Sequence, residues 1–412
     1  MNWPKLSFSH VAEIVTGNTP PKKDPDNYGP GVPWVKPPDL DKWEPITHTE
    51  ETLSPKGQKL ARLLPEGTVM VCCIGSIGRV GIAGTTLATN QQINSLIFGP
   101  NVEPRFGYYY CRSIPQVLQA ASRKAIVPIL NKSNFAKVKM PVPPLSEQRR
   151  IVEILDQADS LRNKRAEANA KAARIIPALF YKMFGDPAVN LKTNKIKPLT
   201  KNGASVRYGL GQPPKSSENG VPLIRATNIS RGTINHENML FVDPRDVPKS
   251  RNAFLILDEV LVVRSGAYTG DVAQVTEDWE GSVAGYDLII TPGPNFTGEF
   301  LETYLLSPFI QNGYFRNLKA RAGQPHLNAL QLSETPVPVI SLERQQEFAE
   351  QLKTIRRLRK RLELVWNQLN RVFDVLLHRA FSGDLTVKWR EAHMKELLAE
   401  MEQKTRYMES SH

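Results

Sequence analysis

Two arginines stand in glycine-rich turns, one in each half of the chain: Gly75-Ser76-Ile77-Gly78-Arg79 and Arg264-Ser265-Gly266-Ala267-Tyr268-Thr269-Gly270. Such turns bring backbone close to a partner and leave Ser76, Arg79, Arg264, Ser265 and Tyr268 at loop tips. An arginine so placed has the donor fork that reads guanine in the DNA major groove, and asparagine or glutamine makes the matching pair of bonds to adenine. The amide candidates are Asn90, Gln91, Gln92, Asn228 and Gln324. Lys22, Lys23, Lys36, Lys215, Arg225 and Arg231 suit phosphates, which give salt-sensitive affinity but no sequence information. Taken singly, each is equally well a solvated loop charge or a turn amide. The paired placement in both halves is what raises the set.

Other chemistry is missing. The chain has no Gly-x-x-x-x-Gly-Lys-Ser/Thr phosphate loop, no Gly-x-Gly-x-x-Gly after a strand and no Gly-x-Ser-x-Gly nucleophile elbow. Nor does it contain the Asn-Pro-Pro-Tyr/Phe segment of amino-methyltransferases; Lys36-Pro37-Pro38-Asp39 lacks both the amide and the aromatic. Asp24, Asp26 and Asp39 lie near lysines, as a nuclease site requires, but beside prolines they read as turn residues. Cys72, Cys73 and Cys111 have no metal-ligand spacing and read as small core residues. The histidines form no His-Glu-x-x-His pattern, and His326 reads as a local hydrogen-bonding residue. No catalysis and no metal are expected on this chain.

The net charge of +12 over 412 residues favours polyanions, nucleic acid above all. No run of eighteen apolar residues and no apolar leader occurs, so the protein is expected in the cytoplasm, away from membranes.

The elements that position these turns are written twice. Met140 to Asp186 and Val337 to Asp384 each open with prolines, continue as a helical pattern and close with Phe and Gly-Asp. The apolar stripes include Leu155, Ala158, Leu161, Ala172 and Leu179 in the first copy, and Leu352, Ile355, Leu358, Leu362, Leu369 and Leu376 in the second. Steps of three and four put each stripe on one helix face, and the simplest way to hide both is to pack them on each other. Ser146 and Ser341 are placed to cap these helices, and Pro177 should kink the first. Before each helix lie short β-branched runs with turn punctuation: Val32–Val35, Thr68–Val71, Arg79–Ile82 and Ser95–Phe98, plus one helix over Phe106–Ala121. Residues about 190 to 336 repeat this plan: Gly17-Asn18-Thr19-Pro20-Pro21 is echoed by Gly211-Gln212-Pro213-Pro214, and Val127-Pro128-Ile129-Leu130-Asn131 by Gln324-Pro325-His326-Leu327-Asn328. Two mixed α/β domains alternate with two long helices, and Trp389–Met401 has helical spacing in the tail.

Pro143-Pro144-Leu145-Ser146-Glu147-Gln148 before a long helix, Ala380-Phe381-Ser382-Gly383-Asp384-Leu385, and the domain-helix-domain-helix order resemble the specificity subunit of Type I restriction-modification systems, across essentially the whole chain. The resemblance implies an α+β fold of two similar mixed α/β target recognition domains separated by two long helices forming an antiparallel coiled coil. Its segments would be residues 1–144 and 187–338 for the domains, 145–186 and 339–385 for the helices, and 386–412 for the tail. It further implies that each domain reads one half of a bipartite double-stranded DNA target and that the helices set the spacer and dock modification subunits, two per chain. It implies, too, that restriction subunits join through the complex and that S-adenosylmethionine, ATP and Mg lie on those partners. The second helix start departs from the pattern, with Ile340-Ser341-Leu342-Glu343-Arg344-Gln345 in place of Pro-Pro-Leu-x-Glu-Gln, which bears on how equally the two starts hold modification subunits. The reading from another class is a non-catalytic scaffold for RNA or protein; the doubled exposed aromatics that RNA readers stack on bases are not evident.

Overall fold

The structure, a computed structural model, describes residues 3–122, 127–190, 195–319 and 325–410. The chain forms two compact units, Met1–Glu167 with Leu364–His412, and Ala168–Glu363. Both boundaries fall inside long helices, Leu145–Ala173 and Leu342–Ser382, rather than at their ends.

Unit 1 is built on an antiparallel sheet with spatial order Ala12–Thr16, Ile93–Phe98, Val69–Cys72, Val80–Ile82. Val69–Cys72 is buried along its whole length, as a central strand covered on both faces must be. A second sheet pairs Tyr28–Val35 antiparallel to Thr52–Leu53 and parallel to Leu87–Thr89. Lys5–Ser7 pairs with Lys139–Pro141 and closes the unit just before the long helix.

Unit 2 repeats the plan. Its main sheet runs Ser205–Tyr208, Leu288–Thr291, Val260–Val262, Val272–Gln274. Ser216–Ile224 pairs antiparallel to Leu240–Val242 and parallel to Val283–Ala284, and Ile196–Pro198 pairs with Pro336–Pro338. The mixed α/β content expected of each half is present.

The helix expected over Phe106–Ala121 is divided into Pro104–Ser113 and Pro115–Ala120, because Pro115 has no N–H to continue the ladder. Glu103 caps the first piece by accepting from Phe106 N at 2.7 Å. The tail helix is likewise in two pieces, Val387–Ala392 and Met394–Ser410.

Within unit 1, Ile151, Val152 and Leu155 share a core with Phe373, Leu377 and Ala380, and with Phe106 and Tyr109 of the globular body. Arg162 donates to Asn370 at 2.9 Å while Glu147 accepts from Thr386 at 2.6 Å, so the segments run antiparallel. Within unit 2, the rings of Phe180 and Phe184 pack on Phe348, and Arg344 donates to the Met183 carbonyl. The first helix stops at Ala173 and restarts as Ile175–Phe184, one turn ahead of Pro177, as the missing donor requires.

The predicted stripe needs correction at two places. Leu155 and Leu352 are fully buried, Ala158 and Leu376 edge the unit 1 core, and Leu179 edges that of unit 2. Ala172, Ile355, Leu362 and Leu369 are half-buried. Leu161 and Leu358, however, are 58% and 52% exposed. In unit 1 the adjacent Arg162 makes the contact instead, lying over the Phe373 ring at 4.3 Å, and in unit 2 Arg356 pairs with Glu302 of the globular body. The Ser146 cap is also corrected: helix begins at Leu145, and the carboxylate of Glu400 accepts from both Leu145 N at 2.7 Å and Ser146 Oγ at 2.6 Å. Ser341 does directly precede Leu342, the first helical residue.

Candidate nucleic-acid interface

Both glycine-rich turns are held by the same device. In unit 1, Leu130 N donates to the Cys73 carbonyl at 2.8 Å and Ile74 bridges Ile129; in unit 2, Leu327 N donates to the Arg264 carbonyl at 2.9 Å and Ser265 bridges His326. Leu130 and Leu327 are buried, and the next residue, Asn131 or Asn328, caps a short helix by accepting a backbone N–H at 2.8 Å. Gly75 and Gly266 have φ of +76° and +91° with open space around them, so these glycines serve the turn and leave its tip bare. Gly17 and Gly209 serve close approach: an added Cβ would lie 2.2 Å from the carbonyl oxygens of Asn90 and Gly285. Gly209 is thus the counterpart of Gly17, not Gly211, which faces no such backbone.

In unit 1, Ser76, Lys22, Lys23 and Gln91 are exposed. Gln91 accepts from the Thr19 hydroxyl, joining two segments of this face. Arg79 is half-buried and its Nε donates to Asp41 Oδ2 at 2.6 Å. Lys36 is paired with Glu51 and lies over the Trp34 ring at 5.6 Å. Asn90 is buried, its Oδ1 accepting from Gln92 N at 3.0 Å and its Nδ2 donating to Gln92 Oε1 at 2.9 Å. It is a turn amide and not a base-reading group, which is the correction for that candidate and commits the Gln92 side chain to the same turn. The acidic residues are turn groups as expected: Asp24 accepts from Asp26 N at 3.2 Å, and Asp39 accepts from Lys36 N at 2.9 Å. The cysteines are buried, and burial pushes the Cys73 thiol up to about 12.

In unit 2, Lys215 and Arg231 are exposed; Arg231 and Gly232, with φ of +42° and +87°, form the tip of the hairpin Ile229–Ser230/Thr233–Ile234. Asn228 is fully buried, bonding Arg225 N and the carbonyls of Asn235 and Glu237, so it too is corrected from base reader to loop staple. Arg225 donates to the Asn238 carbonyl at 2.6 Å and is largely committed to that loop. Ser265 is half-buried and Tyr268 exposed. Gln324 lies outside the described residues.

Arg264 is the most elaborately held of the candidates. Its guanidinium carbon lies over the Tyr208 ring at 4.7 Å and over the Tyr286 ring at 4.5 Å, and its Nε donates to His326 Nε2 at 3.4 Å. Its backbone N donates to Asp287 Oδ1 at 3.2 Å, while Asp287 Oδ2 is buried with no partner among the described residues. Burial pushes the Asp287 carboxyl up to about 6, against the smaller opposing pull of that backbone bond and the Arg264 charge. Tyr208, Tyr286 and Asp287 were not singled out from the sequence. Tyr286 and Asp287 lie in the bend before Leu288, which pairs opposite Tyr208, and no spacing rule connects these residues to Arg264.

The family model described as Type I restriction modification DNA specificity domain matches residues 1–170. Residues 1–170 are thus similar to a Type I restriction-modification DNA specificity domain. The resemblance to specificity subunits is thereby borne out, and it extends further: the EcoBI specificity subunit of Escherichia coli is 24% identical, with the match covering 94% of this chain and 87% of the relative. The MjaIX specificity subunit of Methanocaldococcus jannaschii is 28% identical, but the match takes in only 45% of this chain and 44% of the relative. The crystal structure of a Type I system S subunit from M. genitalium has the same fold, with TM-score 0.56, 16% identity, and coverage of 92% of this chain and 96% of that one.

The start of the long helix within residues 1–170 is fixed by one glutamine. Gln148 Oε1 accepts from Glu103 N at 2.9 Å, and its Nε2 donates to the carbonyls of Asn101 and Pro143 at 2.9 and 2.8 Å. Gln345 does the same in unit 2, accepting from Thr297 N at 3.1 Å and donating to the carbonyls of Asn295 and Ile340 at 3.0 Å. The glutamine thus survives the departure of the second start from Pro-Pro-Leu-x-Glu-Gln. The preceding residue does not: Glu147 is buried, accepting from Trp3, Thr386 and Arg390, whereas its counterpart Arg344 is exposed and bonds the Met183 carbonyl. Among the described residues no helix is long and apolar enough to cross a membrane, and no group of three or more His, Cys, Asp or Glu is placed to hold a metal.

Proposed function

We propose that this chain is the DNA-reading, non-catalytic specificity subunit of a Type I restriction-modification complex. Each unit reads one half of a bipartite duplex target through its glycine-rich turn. The paired long helices set the spacer between the halves and dock two modification subunits, through which restriction subunits join. S-adenosylmethionine, ATP and magnesium belong to those partners, and the complex works in the cytoplasm. The reading rests chiefly on the turn-and-loop device present in both units, with an arginine at each turn and a net charge of +12 behind it.

The test is quantitative binding of the full chain to duplexes altered in one half at a time. Arg79→Ala weakens discrimination in one half and Arg264→Ala in the other. Damage to the same half by both variants contradicts two separate readers.

A further inference from the structure

Arg264 differs from Arg79 in how its guanidinium is held. Arg79 is tied to the carboxylate of Asp41, a partner that any base or phosphate must displace. Among the described residues no carboxylate pairs with the Arg264 side chain; Asp287, the acid beside it, accepts from the Arg264 backbone N–H instead. The guanidinium plane is fixed by two tyrosine rings at 4.7 and 4.5 Å, and Nε, one of its three nitrogens, is oriented by His326. Among the described residues the two terminal nitrogens have no protein partner and are not among the enclosed polar atoms. A planar fork held in one orientation, its outer edge without a partner among the described residues, fits a planar pair of acceptors on one rigid edge, and guanine presents such a pair, O6 and N7, in the major groove.

We propose that Arg264 is the specificity-determining residue through which unit 2 reads a guanine, with Tyr208 and Tyr286 pre-orienting the fork. The proposal rests on the DNA-reading function above and adds the base and the positioning side chains. Tyr286 is the informative wall, since it is 48% exposed and its removal leaves the core intact, whereas the Tyr208 hydroxyl also accepts from Ala329 N.

The experiment selects duplexes from a randomised pool with the full wild-type chain, then repeats the selection with Arg264→Lys and Tyr286→Leu. Wild type is expected to fix a guanine in one half-site. Arg264→Lys keeps the charge but loses the fork, and the preference for that guanine falls about ten- to hundred-fold while the other half-site is unchanged. Tyr286→Leu lowers the preference at the same position. Replacing that guanine by 7-deazaguanine weakens wild-type binding and leaves Arg264→Lys binding unchanged. A uniform loss across all sequences with Arg264→Lys marks a phosphate contact and overturns the proposal, as does loss of discrimination at a base other than guanine. A bipartite target unaffected by Arg264→Lys overturns this assignment alone; a wild-type chain that selects no sequence overturns the DNA-reading function as well.

Discussion

Gln148 and Gln345 make the same three hydrogen bonds in their respective units: one accepted from the N–H before a globular helix, and two donated to carbonyls on either side of the joint. Both side chains are fully buried, so truncation strands a backbone donor and two acceptors out of reach of water. Gln148→Ala and Gln345→Ala are each expected to lower unfolding free energy by about 2–4 kcal/mol. Denaturant titration of the full chain checks this, and an unshifted transition counts against a shared locking role.

A second lock belongs to unit 1 alone. Arg390 Nε donates to Glu147 Oε1 at 2.7 Å with both side chains nearly enclosed. Arg390→Ala leaves an uncompensated buried carboxylate and is expected to cost about 3–5 kcal/mol. The same change is expected to release the tail to proteases. The double variant Glu147→Leu with Arg390→Leu removes both charges and should recover much of the loss; failure to recover would assign the effect to packing rather than charge.

Much of this architecture is legible in the sequence, for physical reasons that also mark the limit. Apolar residues at helical spacing reveal Leu342–Ser382 because nothing but helix buries such a stripe, and the β-branched run at Val69–Cys72 reads as a central strand. The doubled loop is legible because Asn131 and Asn328 perform the same local task, capping a short helix. What fails is the assignment of single polar side chains. Asn90 and Asn228 look like readers beside turns, but an amide near a turn more often satisfies backbone, and both do. Of the two tyrosines at Arg264, Tyr208 ends the strand Ser205–Tyr208 and Tyr286 lies in the bend just before Leu288–Thr291, so only the pairing of these strands brings them there.

The buried carboxyl of Asp287 gives a pH signature. Its folded value of about 6 lies above the ordinary value of 3.8, so the folded state binds the extra proton between these limits. Stability from this group is therefore full below pH about 4 and lost as pH rises through about 6, a swing of at most about 3 kcal/mol at 1.36 kcal/mol per unit. Asp287→Asn is expected to remove that fall. Unfolding free energies of the two proteins from pH 4 to 8 check it; parallel curves would contradict the burial argument.

At the other turn, the DNA reading proposed for Arg79 would have to compete with its pairing to Asp41. Asp41→Asn keeps an acceptor for Val80 N, which bonds Asp41 Oδ1 at 3.1 Å, while removing the charge. Because the pair is only partly shielded, the change is expected to cost less than about 1 kcal/mol of stability. Duplex affinity should rise up to about fivefold at low salt, with the gain fading as salt increases. Weaker binding would show that Asp41 orients Arg79 for its partner rather than restraining it.

The most direct test of two readers on one chain is the consensus selected from random duplex DNA by the full protein, compared with that of a variant carrying about four extra residues, roughly one helical turn, inserted in Leu145–Ala173. The account predicts two short conserved blocks separated by an unspecified spacer, and an altered spacer with unchanged blocks for the insertion. A single contiguous site, or a spacer indifferent to the insertion, would contradict it.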